Sequence, residues 1–295
     1  MNSIKETLRG TGVALITPFK YNGDVDYDAL QKMINHVIDG KVEYIVSLGT
    51  TAEAPTLSTF EKKDIVKYTY DIVKKRVPVV VGIGGNNTAE LVHELETFPL
   101  DEATAVLSAS PYYSKPSQEG IFQHYKTLAK ASPKPILLYN IPGRTSKNID
   151  ADTIIRLANE VENIAGIKEA GGDFAQCIKI LRDAPADFLI VSGDDALTMP
   201  QIACGMQGVI SVAANAFPTE FSDMVRSSLS GDFTKARSIN NKLIGAYELM
   251  FAENNPAGVK TFLYEMGLIK NYLRLPLVSL SDKYQLLIKA YLQNI

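Results

Sequence analysis

Lys168 closes the apolar run Ile164-Ala165-Gly166-Ile167, and an acid, Glu169, follows it at once. Twenty-nine residues upstream of Lys168 a second apolar run, Ile136-Leu137-Leu138, ends in Tyr139-Asn140-Ile141-Pro142-Gly143-Arg144-Thr145. Charge is seldom buried without a partner or a purpose, and a lysine drawn inward by a strand loses the hydration of its ammonium form. That loss favours the neutral amine, the nucleophile of Schiff-base chemistry with carbonyl compounds. A tyrosine and an arginine delivered by a neighbouring parallel strand would complete such a site. On position alone, a solvent-reaching Lys168 is the lesser alternative, Tyr139 could fill the core, and Arg144 would by default be a solvated loop residue. If Arg144 points inward, its planar fork suits a bidentate grip on a substrate carboxylate.

These residues need a scaffold that brings strand ends together. Short apolar runs recur at intervals of roughly 20 to 35 residues, the rhythm of repeated βα units. They are Gly12–Ile16, Tyr44–Leu48, Val77–Ile83, Ala103–Leu107, Ile136–Tyr139, Ile164–Lys168, Phe188–Val191 and Gly208–Val212. Amphipathic stretches at 27–39, 59–75, 88–97, 118–131, 151–159 and 175–183 alternate with them. Strands covered on both faces read as unbroken apolar runs, as Val77-Pro78-Val79-Val80-Val81 does. The pattern predicts an α/β chain folded as a closed (β/α)8 TIM barrel, with a doubly wound open sheet as the competitor. After Ala214 the strand signal stops, and 221–229, 233–253, 257–266 and 282–292 read as helices. The expected organisation is a catalytic barrel over 1–225 and a helical extension over 226–295, packed on the barrel with no Gly/Ser-rich linker between them.

Catalytic groups of such barrels gather at the C-terminal strand ends. Those ends read Thr17, Gly49-Thr50-Thr51, Gly84-Gly85-Asn86, Tyr112-Tyr113, Tyr139, Lys168, Gly193-Asp194-Asp195 and Ser211, polar where the strands are apolar. Gly49-Thr50-Thr51 offers backbone N–H groups and hydroxyls to an anion such as a carboxylate, or simply a helix N-cap. Gly82-Ile83-Gly84-Gly85 has part of a dinucleotide fingerprint but Asn87 where the third glycine belongs, so a tight βα turn is the better reading. Asp194-Asp195 reads as a helix cap rather than a metal pair.

Bulk properties narrow the function classes. The chain has 295 residues, 46% hydrophobic and 21% charged, ordinary for a globular protein with a sizeable core. A net charge of −3 does not suggest nucleic acid or a membrane surface as partner. Cys177 and Cys204 lie in apolar segments without CxxC spacing and read as two reduced core thiols of a cytoplasmic protein. His36, His93 and His124 are scattered on polar helical stretches, so no metal site and no cofactor are expected. The N-terminal ten residues contain no apolar signal segment.

The motifs GTGVALITPF, GTTAEAPTL, SPYYSKPSQEG, YNIPGRT, GIKEA, SGDD and GVISVAAN, with the helical tail, resemble dihydrodipicolinate synthases over the full chain. These enzymes sit in the N-acetylneuraminate lyase group of class I aldolases. The resemblance implies a lyase that condenses pyruvate with aspartate semialdehyde in lysine and diaminopimelate biosynthesis. Lys168 would be the Schiff-base lysine, and Thr51, Tyr139 and Tyr113 a proton relay, with Tyr113 reaching into a neighbouring subunit's site. Thr50 and Thr51 would bind the pyruvate carboxylate, Gly193 and Ile210 would add main-chain contacts, and Arg144 would hold the semialdehyde carboxylate. The implied assembly is a homotetramer, a dimer of dimers. Arg144 favours the synthase over the alternative, a related N-acetylneuraminate lyase or 2-keto-3-deoxy sugar acid aldolase. Lysine-inhibited members carry a regulatory pocket, which Asn86, Glu90 and Tyr112 match. Ala54, Thr59 and Lys62 stand where those members have serine and two histidines. A lysine ammonium beside Lys62 would meet like charge, so weak or no inhibition is expected. Ala52 and Ala54 also depart from the family's GTTGES.

Overall fold

The computed structural model describes residues 3–294. Among the described residues, eight parallel strands close a barrel in sequence order, β8 returning to β1. They are β1 (Gly10–Ala14), β2 (Tyr44–Ser47), β3 (Val79–Gly82), β4 (Ala105–Ala109), β5 (Ile136–Asn140), β6 (Ile164–Glu169), β7 (Leu189–Ser192) and β8 (Gly208–Ser211). A short helix, α1 (Ile4–Thr7), precedes the barrel. The outer ring comprises α2 (Tyr27–Asp39), α3 (Thr59–Val73), α4 (Thr88–Thr97), α5 (Gln118–Ala131), α7 (Ala151–Glu160), α8 (Phe174–Asp183), α9 (Thr198–Ala203) and α10 (Pro218–Leu229), with the single-turn α6 (Pro142–Thr145) in the loop between β5 and α7. The extension is α11 (Phe233–Phe251), α12 (Ala257–Glu265) and α13 (Asp282–Leu292). α10 packs on β1 and β8 as a barrel helix. Position 225/226, the division expected from sequence, lies inside it.

Strand alternation makes two cores. Ala14, Val46, Val80, Leu107, Leu137, Val191 and Ile210 point inward and fill the barrel, with Leu8 among them. Their neighbours Val13, Ile45, Val81, Val106, Leu138 and Ile190 point outward into the helix layer. The filled interior leaves no pore, so the strand ends are where a ligand can be met. Gly12 shows the fit: a Cβ there would lie 2.2 Å from the Tyr44 ring that occupies the interior.

The loops at the barrel mouth are held by helix caps. Asp26, Ser58, Asn87, Ser117 and Asp173 each accept a first-turn N–H from the helix that follows. Such caps contribute about 1 kcal/mol apiece and fix where each βα loop enters its helix. A second device sits between β5 and β6. The pairing starts as Ile136 opposite Ile164, then shifts so that Leu137 faces Gly166, leaving Ala165 as the extra residue. Unshifted, Tyr139 would face Ile167, one residue off, with its side chain on the opposite sheet face from Lys168. The shift sets Tyr139 opposite Lys168.

Candidate active site

Lys168, at the end of β6, is only 4% exposed. Its Nζ lies 4.4 Å from the centroid of the Tyr139 ring. Gly193, just past β7, backs the lysine stem: a Cβ there would lie 2.9 Å from Lys168 Cε and 2.5 Å from Ala170 Cβ. Its N–H donates to the Glu169 carbonyl at 2.7 Å. Ile210 is buried on β8 inside the barrel. The sequence-predicted Lys168, Tyr139 and Gly193 therefore form one cluster.

Thr50 and Thr51 begin a 3-10 turn, Thr50–Ala52, whose N-cap is Gly49 with no side-chain cap bond. Neither threonine is the cap, which leaves both hydroxyls free for other partners. Thr51 is buried, and its Oγ1 accepts from Asn255 Nδ2 at 3.0 Å. The carbonyl of the same Asn255 accepts from Arg144 Nη2 at 3.0 Å. Asn255 precedes α12, so a residue of the helical extension joins the threonine turn to the arginine of α6. Sequence reading missed it; its only local signal is an Asn-Pro step. The turn ends at Glu53, in the left-handed region at φ 57°, whose buried carboxylate pairs with Lys260 of α12. Arg274 N–H donates to Glu53 Oε2 at 3.1 Å. Burial pushes Lys260 down to about 8 despite its acidic partner. Lys260, too, went unread, although it stands alone in the apolar run Gly258-Val259-Lys260-Thr261-Phe262-Leu263.

Asp194 Oδ1 accepts from the N–H groups of Ala196 and Leu197, holding the turn before α9. Asp195 does something the sequence did not suggest. It crosses to the end of β8 and accepts from Ala213 N at 2.9 Å and Val212 N at 3.2 Å. Burial pushes its carboxyl up to about 6, against hydrogen bonds from Ser211 and Ala213 and the charge of Lys168. Cys177 is buried, but Cys204 is exposed, which corrects its reading as a core thiol. His124 is likewise buried rather than on a polar face, with Nδ1 2.8 Å from Thr88 Oγ1. Among the described residues, no group of three or more His, Cys, Asp or Glu side chains converges as a metal site.

Tyr113 is 91% exposed and adopts φ 64°. Among the described residues no hydrogen bond joins Tyr113, Thr51 and Tyr139, so the single chain does not assemble the expected relay by direct contact. Tyr112 N–H donates to Asn86 Oδ1 at 2.7 Å. Glu90 stands in the first turn of α4. A cavity of about 680 Å3 opens at the opposite, N-terminal end of the barrel near Glu6, Arg9 and Asp187, away from Lys168.

A profile of the Dihydrodipicolinate synthetase family matches residues 7–295. The chain belongs to this family. Its curated relatives include a 4-hydroxy-tetrahydrodipicolinate synthase of Flavobacterium psychrophilum, 50% identical over 92% of this chain and 93% of the relative. A second, from Azobacteroides pseudotrichonymphae, is 49% identical over 97% of both chains. Among solved structures, a chloride-inhibited dihydrodipicolinate synthase of Acinetobacter baumannii complexed with pyruvate superposes with a TM-score of 0.94. It is 38% identical and the match covers 98% of this chain and 99% of that one. Membership accords with the closed barrel.

Proposed function

We propose that this chain is a 4-hydroxy-tetrahydrodipicolinate synthase, condensing pyruvate with aspartate semialdehyde through a Schiff base on Lys168. The observation that carries this reading is the buried Lys168 with Nζ over the Tyr139 ring, set opposite it by the register shift between β5 and β6. The neutral amine attacks the keto carbon of pyruvate and water leaves, giving an iminium. That electron sink eases loss of a methyl proton to form an enamine. The enamine carbon attacks the aldehyde, and its oxygen takes up a proton. The substrate's amino group then adds to the iminium carbon, closes the ring and expels Lys168.

Thr50 and Thr51 would hold the pyruvate carboxylate through the N–H groups and hydroxyls of their turn, with main-chain help from Gly193 and Ile210. Tyr139 and Thr51 would move protons together with Tyr113 of a neighbouring subunit. The exposure of Tyr113 supports that reading, since a single chain leaves its ring uncovered. Arg144 would clamp the semialdehyde carboxylate, and holding both substrates by their carboxylates supplies orientation. The assembly in this reading is a cytoplasmic homotetramer. Asn86, Glu90 and Tyr112 form the counterpart of a lysine pocket; the Asn86–Tyr112 hydrogen bond supports a shared wall, and Lys62 argues for weak inhibition.

The test is a coupled assay with purified protein, pyruvate and each of several aldehydes. Turnover with aspartate semialdehyde, and none in cleaving 2-keto sugar acids, is expected. The reverse preference would instead place the chain with the sugar-acid aldolases. Arg144→Ala should raise the KM for aspartate semialdehyde roughly thirty- to hundredfold, the loss of a charge-assisted carboxylate contact. Pyruvate adduct formation should be retained; equal loss for both substrates would refute the clamp.

A further inference from the structure

The register that sets Tyr139 opposite Lys168 also sets Asn140 opposite Glu169. Alternation turns this second pair to the outer face of the sheet, behind the catalytic pair. Both are buried, Glu169 to 1% exposure. Asn140 Nδ2 donates to the two Glu169 oxygens at 3.0 and 2.9 Å. Gly171 N–H donates to Oε1 at 2.6 Å, and Gln176 Nε2 of α8 to Oε2 at 3.1 Å. Every partner of Glu169 is a donor, so the position calls for a side chain that only accepts.

The same network holds both ends of one loop. Asn140 is where the chain leaves β5, and its Oδ1 accepts from Ile149 N–H at 3.0 Å. Between them, Asn148 Oδ1 accepts from Asn140 and Asn148 Nδ2 donates to Gln176, each at 2.8 Å. The segment closed by these bonds carries α6 and Arg144. A buried carboxylate is costly, and no step of the reaction uses this one. Its network instead ties the arginine's loop to the strand that carries the reactive lysine.

We infer that Glu169 and Asn140 are positioning residues for the second substrate, fixing the separation between Arg144 and Lys168. The inference rests on the roles proposed above for those two residues. Glu169→Gln keeps the shape but sets an amide N–H against donors. It should raise the KM for aspartate semialdehyde about tenfold, the size of one mismatched charge-assisted hydrogen bond. The yield of borohydride-trapped pyruvate adduct on Lys168 should stay within about twofold, since that face of the strand is untouched. Gln176→Ala, on a half-buried helix position, spares the core and should give a smaller shift in the same direction. It decides the matter if Glu169→Gln does not fold. An unmoved semialdehyde KM, or an equal rise for both substrates, would overturn the inference alone. A wild-type protein that forms no Lys168 adduct would overturn the reaction as well.

Discussion

Lys260→Met isolates what the buried pair beneath the threonine turn does. Glu53 and Lys260 side chains are both 0% exposed. Lys260 also donates to the Tyr272 carbonyl at 3.0 Å and lies 4.3 Å from the Phe19 ring centroid, so its removal strands several groups. With methionine there, the Glu53 carboxylate keeps one donor, the Arg274 N–H. Removing one partner of a buried pair costs about 3–5 kcal/mol, because the other charge is left uncompensated. Replacing both should cost far less, since burial works against the charge on Lys260 and lowers its pKa even beside Glu53. Glu53→Gln/Lys260→Met should therefore be more stable than Lys260→Met alone, with a coupling energy of about 2–3 kcal/mol. Urea unfolding of wild type, both single variants and the double, at one protomer concentration, measures this. Activity should fall in Lys260→Met, because the turn that presents Thr51 ends at Glu53. A single-variant cost under about 1 kcal/mol, or strictly additive changes, would refute the account of this pair.

Three further perturbations follow from particular contacts. Gly193→Ala places a Cβ 2.9 Å from Lys168 Cε and 2.5 Å from Ala170 Cβ. Overpacking of that kind costs about 1–3 kcal/mol, and adduct formation with pyruvate should slow at least about tenfold; an unchanged rate would show the lysine stem is not constrained there. His124 is held neutral by burial, its pKa lowered to about 4 from 6.5. The folded state thus binds fewer protons between those values, and the contribution is complete above 6.5 and lost as pH falls towards 4. The stake is about 3 kcal/mol, so His124→Gln should flatten unfolding free energy across that window, and an unaltered acid limb would contradict it. If Tyr113 serves a neighbour, Lys168→Ala and Tyr113→Phe proteins mixed and reassembled should regain activity absent from either alone; no recovery would place Tyr113 in its own subunit's site.

Much of the barrel was legible because a strand covered on both faces must be apolar throughout, and such runs stop where chemistry starts. Lys168 and Tyr139 stand out by that contrast. Helices with strong caps, such as α2 behind Asp26 and α4 behind Asn87, match the residue ranges read from periodicity. β1 does not: it runs Gly10–Ala14 rather than from Gly12, because glycines carry no apolar signal even where Gly12 makes room for Tyr44. α6 read as a bare turn, since four residues behind a proline show no periodicity. The β5–β6 shift was invisible because it depends on pairing, not on either strand alone. Asn255 lies 204 residues from Thr51, and no local pattern encodes a contact over that distance. Lys260 obeys the same rule that exposed Lys168, a lone charge in an apolar run, but on a helix it is harder to separate from a solvated face. Asp195 reaches β8 rather than the next helix, a choice made by barrel closure.

Every step of the proposed reaction depends on Lys168 forming the covalent link to pyruvate. Borohydride reduction in the presence of pyruvate, followed by peptide mapping, tests it directly. One stable pyruvate-derived adduct is expected on Lys168, absent when reductant or pyruvate is omitted. An adduct on another lysine, buried Lys260 included, or none at all, would contradict it.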